Sequence, residues 1–449
     1  MRIGSRLTLE ARALDDDGRG LARAGDREVS VFDLLPGERA RVTIEHLSPH
    51  GARAWGRIEA RLGEPSSERI APACPGFGRC GGCALQHLAY PGQLQHKRRR
   101  VEDGLRASLG PRAPEVAGTT AAPRVLGYRS RGKYVAVRER GALTLGAYEP
   151  RSHRVVETLG CRVVEPVVDR VARRCRDALA DTALSVYDER RREGELRYVI
   201  VRSGRGGDAL VGLVTTSGAR ADEVKRAAEA IAKSGDVAGV VWIKNDVETG
   251  ALLSDDVTPI AGEATVREEI GPGLADLDIA AFSQVNREQA RRLHRAAAEL
   301  ADLKGAGRAV ELYCGAGAIA LHLASAGAEV VGFERHEPAV AVARRAAAEL
   351  GLSARARFDA ADAAEAGSSV RDADAVVVDP PRKGLSPAAL EAVCALRAPV
   401  IVYVSCNPRS FARDAAELVS RGYELDRIEP WDLMPGTPQV EILARFRRR

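Results

Sequence analysis

From about Phe282 onward the chain alternates short apolar runs with Ala-, Leu- and Arg-rich stretches of helical length, and this alternation limits the possible folds more than any other feature. Arg308–Cys314, Glu329–Glu334, Ala373–Asp379 and Pro399–Ser405 read as buried strands. Strands separated by such helices assemble into a mostly parallel, doubly wound sheet, whose ligands gather outside the C-terminal strand ends. The residues closing each run therefore matter most. Glu311-Leu-Tyr-Cys-Gly-Ala-Gly-Ala-Ile-Ala320 places two glycines where a strand turns into a helix, and Glu334 ends the next strand. Glycines let the backbone approach a ligand, and a carboxylate there can accept both hydroxyls of a ribose. The same loop satisfies the G-x-G-x-x-A dinucleotide fingerprint, so an NAD-dependent dehydrogenase competes at this point.

Two further motifs close successive strands, Asp379-Pro-Pro-Arg382 and Ser405-Cys-Asn-Pro408. Paired prolines fix φ where the sheet opens and hold a carboxylate at the mouth of the cleft, a device for which a dehydrogenase has no evident need. An isolated cysteine is more often a small buried hydrophobe. Cys406, however, sits at a strand end before Asn407-Pro408, which aims its sulfur over the cleft as a nucleophile. A free thiol ionises near pH 8.5, so Arg382 or Arg409 is expected to help form the thiolate.

At 449 residues the chain exceeds what one core organises, and two or three domains are expected. Residues 1–61 carry short alternating segments separated by Asp17-Gly18 and Pro36-Gly37, the pattern of a small OB-like β-barrel. Its basic residues, interleaved with Phe32 and Trp55, suit phosphate contact and base stacking, although a solvated barrel surface has the same composition. Residues 62–280 read as a cysteine-bearing loop, a polar helix over Gln93–Leu105 with the run Lys97-Arg-Arg-Arg100, and an α+β middle domain. Such a basic run is ordinarily a solvated helix face. Residues 281–449 form the α/β Rossmann-like domain. Lys and Arg number 67 against 62 Asp and Glu, a net charge of +5 that permits a polyanionic partner without requiring one.

Cys74, Cys80 and Cys83 share one Gly-rich loop in C-x5-C-x2-C spacing, with Cys161 available as a fourth ligand. A loop so poor in core residues needs a metal to order it, and spacing alone leaves zinc and an iron–sulfur cluster open. Cys175 and Cys394 fall on helical stretches as packing residues, and Cys314 adjoins the glycine loop without an evident task. With no apolar run of membrane-spanning length and no secretory leader pattern, a soluble, cytoplasmic monomer without membrane attachment is expected.

Taken in order, Phe282-Ser-Gln-Val-Asn286, Leu312-Tyr-Cys-Gly-Ala-Gly317, Glu334, Asp379-Pro-Pro-Arg382, Ser405-Cys-Asn-Pro408 and Met434-Pro435 leading to Val440-Glu441 resemble the RNA uracil-5-methyltransferase family, which includes the 23S ribosomal RNA and tRNA enzymes. The N-terminal segment, with Asp17-Gly-Arg-Gly20 and Leu35-Pro-Gly-Glu38, resembles the TRAM RNA-binding domain. The resemblance implies that Gln284, Tyr313, Glu334, Asp362 and Asp379 bind S-adenosylmethionine, that Cys406 adds to uracil carbon-6, and that Glu441 removes the carbon-5 proton. It also implies a [4Fe-4S] cluster on Cys74, Cys80, Cys83 and Cys161, with zinc second, and 23S rRNA as the partner. A tRNA enzyme and a non-catalytic RNA-binding protein on the same fold are the remaining alternatives. Ala318, Met434, Gly436 and Gln439 depart from the family's usual residues.

Overall fold

The computed structural model describes residues 1–150, 152–247, 253–254, 256–303, 306–366, 370 and 372–449. Strands β1 (Arg6–Glu10), β2 (Ala13–Leu14), β3 (Gly20–Ala24), β4 (Arg27–Val31), β5 (Arg39–Leu47) and β6 (Arg53–Leu62) form one curled sheet, ordered β1-β5-β6-β4-β3-β2, with β1 folding back towards β3. Its core is small: Leu9, Val29, Val31, Val42 and Ile44 fill it from strand positions, joined by Leu34 from the connection after β4. Phe32, expected to suit base stacking, has ring neighbours of its own. It packs against Phe77 of the cysteine loop, ring centroids 5.3 Å apart, and against His87, because the loop needs apolar cover that it does not carry itself.

Glu38 fastens this sheet to that loop. Its carboxylate accepts from the Leu35 amide (2.9 Å), the Ser66 amide (3.1 Å), both sides of the Arg69 guanidinium (2.5 and 2.6 Å) and Arg61 (3.1 Å). Burial alone would raise the carboxyl, but Arg69 and the two amides hold it down at about 2. The folded state thus binds fewer protons than the unfolded chain, so the stabilisation is present above the ordinary carboxylate range and is lost as pH falls towards 2. Glu38→Ala is expected to destabilise this region by about 3 kcal/mol, leaving Arg69 half-paired, and to flatten the acid limb of a thermal melt. A melt unchanged in midpoint and acid limb would show the network to be idle.

Helix α1 (Tyr90–Leu109) follows. Residues 62–280 were expected to form one domain, but Val101, Leu105 and Leu109 of α1 are buried with Val310, Val376, Ile401 and Phe411 of the C-terminal sheet and its helices. The apolar stripe of α1 finds its cover there, so the helix belongs to that core. The middle sheet contains β7 (Arg131–Glu139), β8 (Ala142–Tyr148), β9 (Val155–Glu157), β10 (Leu196–Ser203), β11 (Ala209–Thr215), β12 (Val237–Lys244) and β13 (Val257–Gly262) in the order β13-β12-β11-β10-β7-β8-β9. Helices α2 (Pro166–Ala180) and α3 (Ala221–Ala232) cover one face, with Cys175 buried among the packing residues. The hairpin β14 (Val266–Ile270) and β15 (Gly273–Leu277) also leaves the middle unit, placing Ile270, Ala275 and Leu277 in the C-terminal core.

In the C-terminal unit β16 (Arg308–Leu312), β17 (Glu329–Glu334), β18 (Ala356–Ala360), β19 (Ala375–Val378), β20 (Val400–Ser405), β21 (Tyr423–Trp431) and β22 (Glu441–Arg448) order as β18-β17-β16-β19-β20-β22-β21. The first five run parallel, and β22 enters antiparallel between β20 and β21. The strand order reverses between β16 and β19, and a ligand crevice opens at such a reversal. Among the described residues no helix is long and apolar enough to cross a membrane.

Candidate active site

Four strand ends meet at the crevice. Leu312 of β16 pairs with Phe333 and with Val378, so Tyr313, Glu334 and Asp379 emerge on one rim. Tyr313 adopts φ +61°, unusual for a residue with a side chain, and Gly315 (+52°) and Gly317 (+79°) complete the turn into helix α5 (Ala318–Ser325). The glycines serve different purposes. A side chain on Gly317 would strike the Phe358 ring at 2.7 Å, so this one allows close packing, whereas Gly315 faces open space. Beside that space the Glu334 carboxylate accepts the Gly315 amide (3.2 Å) and the His336 amide (2.8 Å). Its remaining lone pairs suit a diol, and the cradle fits a nucleoside-bearing ligand.

Asp362 follows β18 on the same rim, where it caps the short turn Ala363–Glu365 through the Ala364 amide at 2.9 Å. Gln284 is half-buried in the segment leading to helix α4 (Arg287–Leu300). Two arginines hold that segment from the middle sheet. Arg202 donates to the Asp278 carbonyl (2.9 Å), the Ala281 carbonyl (2.6 Å) and the Ser283 hydroxyl (2.8 Å), and Arg131 donates to the Ala281 carbonyl (2.7 Å).

Register brings Cys406 and Glu441 together. Ser405 of β20 pairs with Ile442 of β22, so the next residues beyond the ladder, Cys406 and Glu441, lie side by side. Glu441 is therefore on a strand flanked on both sides, only 8% exposed, and not on an open edge. The motifs are joined by Asn407, which caps the helix Pro408–Ser420 through the Arg409 amide (3.0 Å) and donates its side-chain amide to the Arg382 carbonyl (2.9 Å). An asparagine after the cysteine thus locks the Asp-Pro-Pro-Arg turn to the cysteine turn. Cys314 is buried in the sheet core, and its sulfur lies beside Gly332.

The electrostatics favour protonated groups. Burial pushes Glu441 up to about 8, reinforced by the charge of Asp379, and burial alone pushes Asp379 up to about 7. Burial likewise raises the Cys406 thiol to about 11, with Glu441 and Asp379 adding to the rise and Arg382 opposing it. Of the two arginines expected to favour the thiolate, Arg382 opposes the rise. Arg409 is ion-paired with Asp16 of the N-terminal sheet. Near neutrality the resting thiol is protonated, and two adjacent carboxyl groups are poised to exchange protons. Iodoacetamide should therefore alkylate Cys406 about 100-fold more slowly at about pH 8 than an ordinary thiol. Removing a neighbouring negative charge by Glu441→Gln should move the alkylation curve to lower pH. An ordinary, Glu441-independent curve would contradict this electrostatic arrangement.

Sequence reasoning passed over two groups here. Glu311 opens the glycine motif without an evident chemical task. It is 2% exposed, accepts the Ala320 amide at 2.7 Å and is raised by burial to about 8, fastening the loop from beneath. An acidic residue inside an apolar parallel strand was the available signal. Lys97, within a run expected to face solvent, is fully buried against Asp432. The spacing of Lys97 from Val101 and Leu105, which places it on one turn of the buried stripe, was its signal.

The four expected metal-ligating cysteines converge. Burial raises the thiols of Cys80 and Cys83, the latter to about 12, and each also feels the charges of Cys161 and Cys74. As placed, no group of three or more Cys, His, Asp or Glu among the described residues is disposed as a coordination shell.

The tRNA (uracil-5-)-methyltransferase family matches residues 277–447. An uncharacterized RNA methyltransferase of Halalkalibacterium halodurans is 32% identical over 96% of this chain and 94% of its own. One of Gloeobacter violaceus is 34% identical over 99% of this chain and 97% of its own. The crystal structure of the Pyrococcus abyssi tRNA (uracil-54, C5)-methyltransferase with S-adenosyl-L-homocysteine superposes with a TM-score of 0.78 at 27% identity, covering 98% of this chain and 100% of that one.

Proposed function

Because the chain belongs to the RNA uracil-5-methyltransferase family, whose methyl donor is S-adenosylmethionine, we propose that it methylates carbon-5 of a uridine in 23S rRNA with Cys406 as nucleophile and Glu441 as base. The register that sets Cys406 beside Glu441, at the mouth of the glycine-loop crevice, carries the proposal. Gln284, Tyr313, Glu334, Asp362 and Asp379 line the cofactor's place, and the cofactor supplies an electrophilic methyl group. Uracil carbon-5 is a poor nucleophile until carbon-6 gains a substituent. The thiol of Cys406 loses its proton to the Asp379 carboxylate, leaving Glu441 free for the later step, and its sulfur bonds to carbon-6, which makes carbon-5 nucleophilic. After carbon-5 is methylated, Glu441 takes its proton, and the electron pair left behind expels the sulfur. A target base must leave its stack to reach this crevice, and the N-terminal sheet supplies the grip on the RNA.

The cysteine quartet favours the ribosomal enzymes of the family, whereas the Pyrococcus abyssi likeness favours tRNA. Mapping 5-methyluridine in rRNA and tRNA from cells with and without this gene distinguishes them. Loss of one 23S site supports the proposal, loss of a tRNA site replaces its substrate, and no loss removes the activity.

Four thiols are a soft donor set, suited to an iron–sulfur cluster or zinc. We infer a [4Fe-4S] cluster there, fixing the loop, since methyl transfer needs no electrons. Anaerobically purified protein should be brown, with about four irons per chain and a broad visible absorption that bleaches in air. A colourless protein holding stoichiometric zinc would replace the cluster, and a metal-free protein would remove it.

A further inference from the structure

The turn from Asp432 to Gln439, which delivers Glu441 to the cleft, is held largely by one face of a helix more than three hundred residues earlier in the chain. Gln93, Lys97 and Arg100 stand at i, i+4 and i+7 on α1, hence on one side of it. The Gln93 side chain accepts the Gly436 amide at 2.8 Å while donating to the Leu85 and Leu88 carbonyls. Lys97 donates to the Asp432 carboxylate and, at 3.1 Å, to the Met434 carbonyl, and Asp432 in turn accepts the Met434 amide at 3.0 Å. Arg100 donates to the Pro438 carbonyl. Tyr128 (to the Pro435 carbonyl, 3.0 Å) and Asn286 (to the Leu433 carbonyl, 3.1 Å) complete the hold.

Lys97 and Asp432 are both 0% exposed. A buried ion pair contributes little net stability compared with two apolar side chains of similar size. Its value lies in fixing geometry, and the geometry fixed here is that of the turn before Glu441. We propose that α1 acts as a brace for this turn and that Lys97, through Asp432, is a positioning residue that sets the reach of Glu441 towards the substrate base.

The proposal rests on Glu441 being the base, so its test includes a readout independent of that assignment. Lys97→Met alone strands the Asp432 carboxylate in the core, so the informative protein is Lys97→Met/Asp432→Leu, in which both charges are replaced by apolar groups. Arg100→Met, which loosens the same turn from a less buried position, is the second variant should the first fail to fold. Hydrogen exchange of the amides of residues 433–440 should accelerate, while S-adenosylmethionine affinity, thiol addition and single-turnover methyl transfer stay within a few-fold of wild type. Release of methylated RNA should slow by about 100-fold, the penalty typical of displacing a reacting group by about 1 Å. Unchanged exchange would remove the brace, and accelerated exchange with wild-type release would remove the positioning role. Normal release by Glu441→Gln in parallel would instead fault the base, leaving the brace to be judged by exchange.

Discussion

Cys406→Ala should lose methyl transfer by about 10,000-fold or more, the scale on which covalent enzymes fail when their nucleophile is deleted. No other side chain at this cleft can replace it. Cys314, the other cysteine adjoining the glycine loop, is buried in the sheet core. Cys314→Ala should therefore retain activity within a few-fold, apart from a modest packing cost. Cofactor binding should survive Cys406→Ala, because the Gly315 cradle and Glu334 lie at other strand ends. Equilibrium dialysis with S-adenosylmethionine, run beside a tritium-transfer assay on RNA, separates the two. Turnover by Cys406→Ala within about tenfold of wild type would end the covalent mechanism.

Glu441→Gln should fail at a later step. The amide cannot take the carbon-5 proton, but thiol addition and methyl transfer precede that step. The variant should therefore accumulate as a covalent, methylated protein–RNA complex visible on a denaturing gel, with multiple turnover reduced by about 1,000-fold. Steady-state release also links to pH, since burial raises the Glu441 carboxyl to about 8. The base form grows as pH rises through that value, so release in wild type should quicken between about pH 7 and 9. If Glu441 were an exposed salt-bridging residue, its loss would change stability by only about 0 to 1 kcal/mol and leave turnover intact. Its near-complete burial opposes that reading. Normal turnover by Glu441→Gln would transfer the base's role to Asp379, the adjacent carboxyl.

Much of the C-terminal unit was legible in the chain because buried parallel strands are rich in apolar residues: Ala375–Val378 and Val400–Ser405 are nearly continuous apolar runs, and Arg308–Leu312 and Glu329–Glu334 keep an apolar centre despite Glu311 and the glutamates at either end of the latter. Strand Ala356–Ala360 was not, because charged Arg357 and Asp359 break the pattern at the sheet edge. The strand-end residues were legible from motif and turn chemistry. Their partners were not, because Lys97 meets Asp432 and Arg409 meets Asp16 only through the folded topology. A run such as Lys97-Arg-Arg-Arg100 has the composition of a solvated face whether or not one member turns inward. Phe32 was legible as an aromatic on a basic sheet but not as cover for the cysteine loop, since that loop's need for apolar contact emerges only when the two are docked. The same limit applies to Glu441, whose flanked strand depends on β22 inserting between β20 and β21.

Uridine carrying fluorine at carbon-5 has no removable proton there, so an enzyme working through these steps methylates it and then cannot let go. Incubating the protein with S-adenosylmethionine and 5-fluorouridine-substituted RNA, followed by nuclease and protease digestion and mass spectrometry, identifies the attached residue. A covalent mechanism through Cys406 requires a methylated fluorouridine on the peptide bearing that residue. An adduct on the Cys314 peptide, or methyl transfer to RNA without any adduct, would refute it.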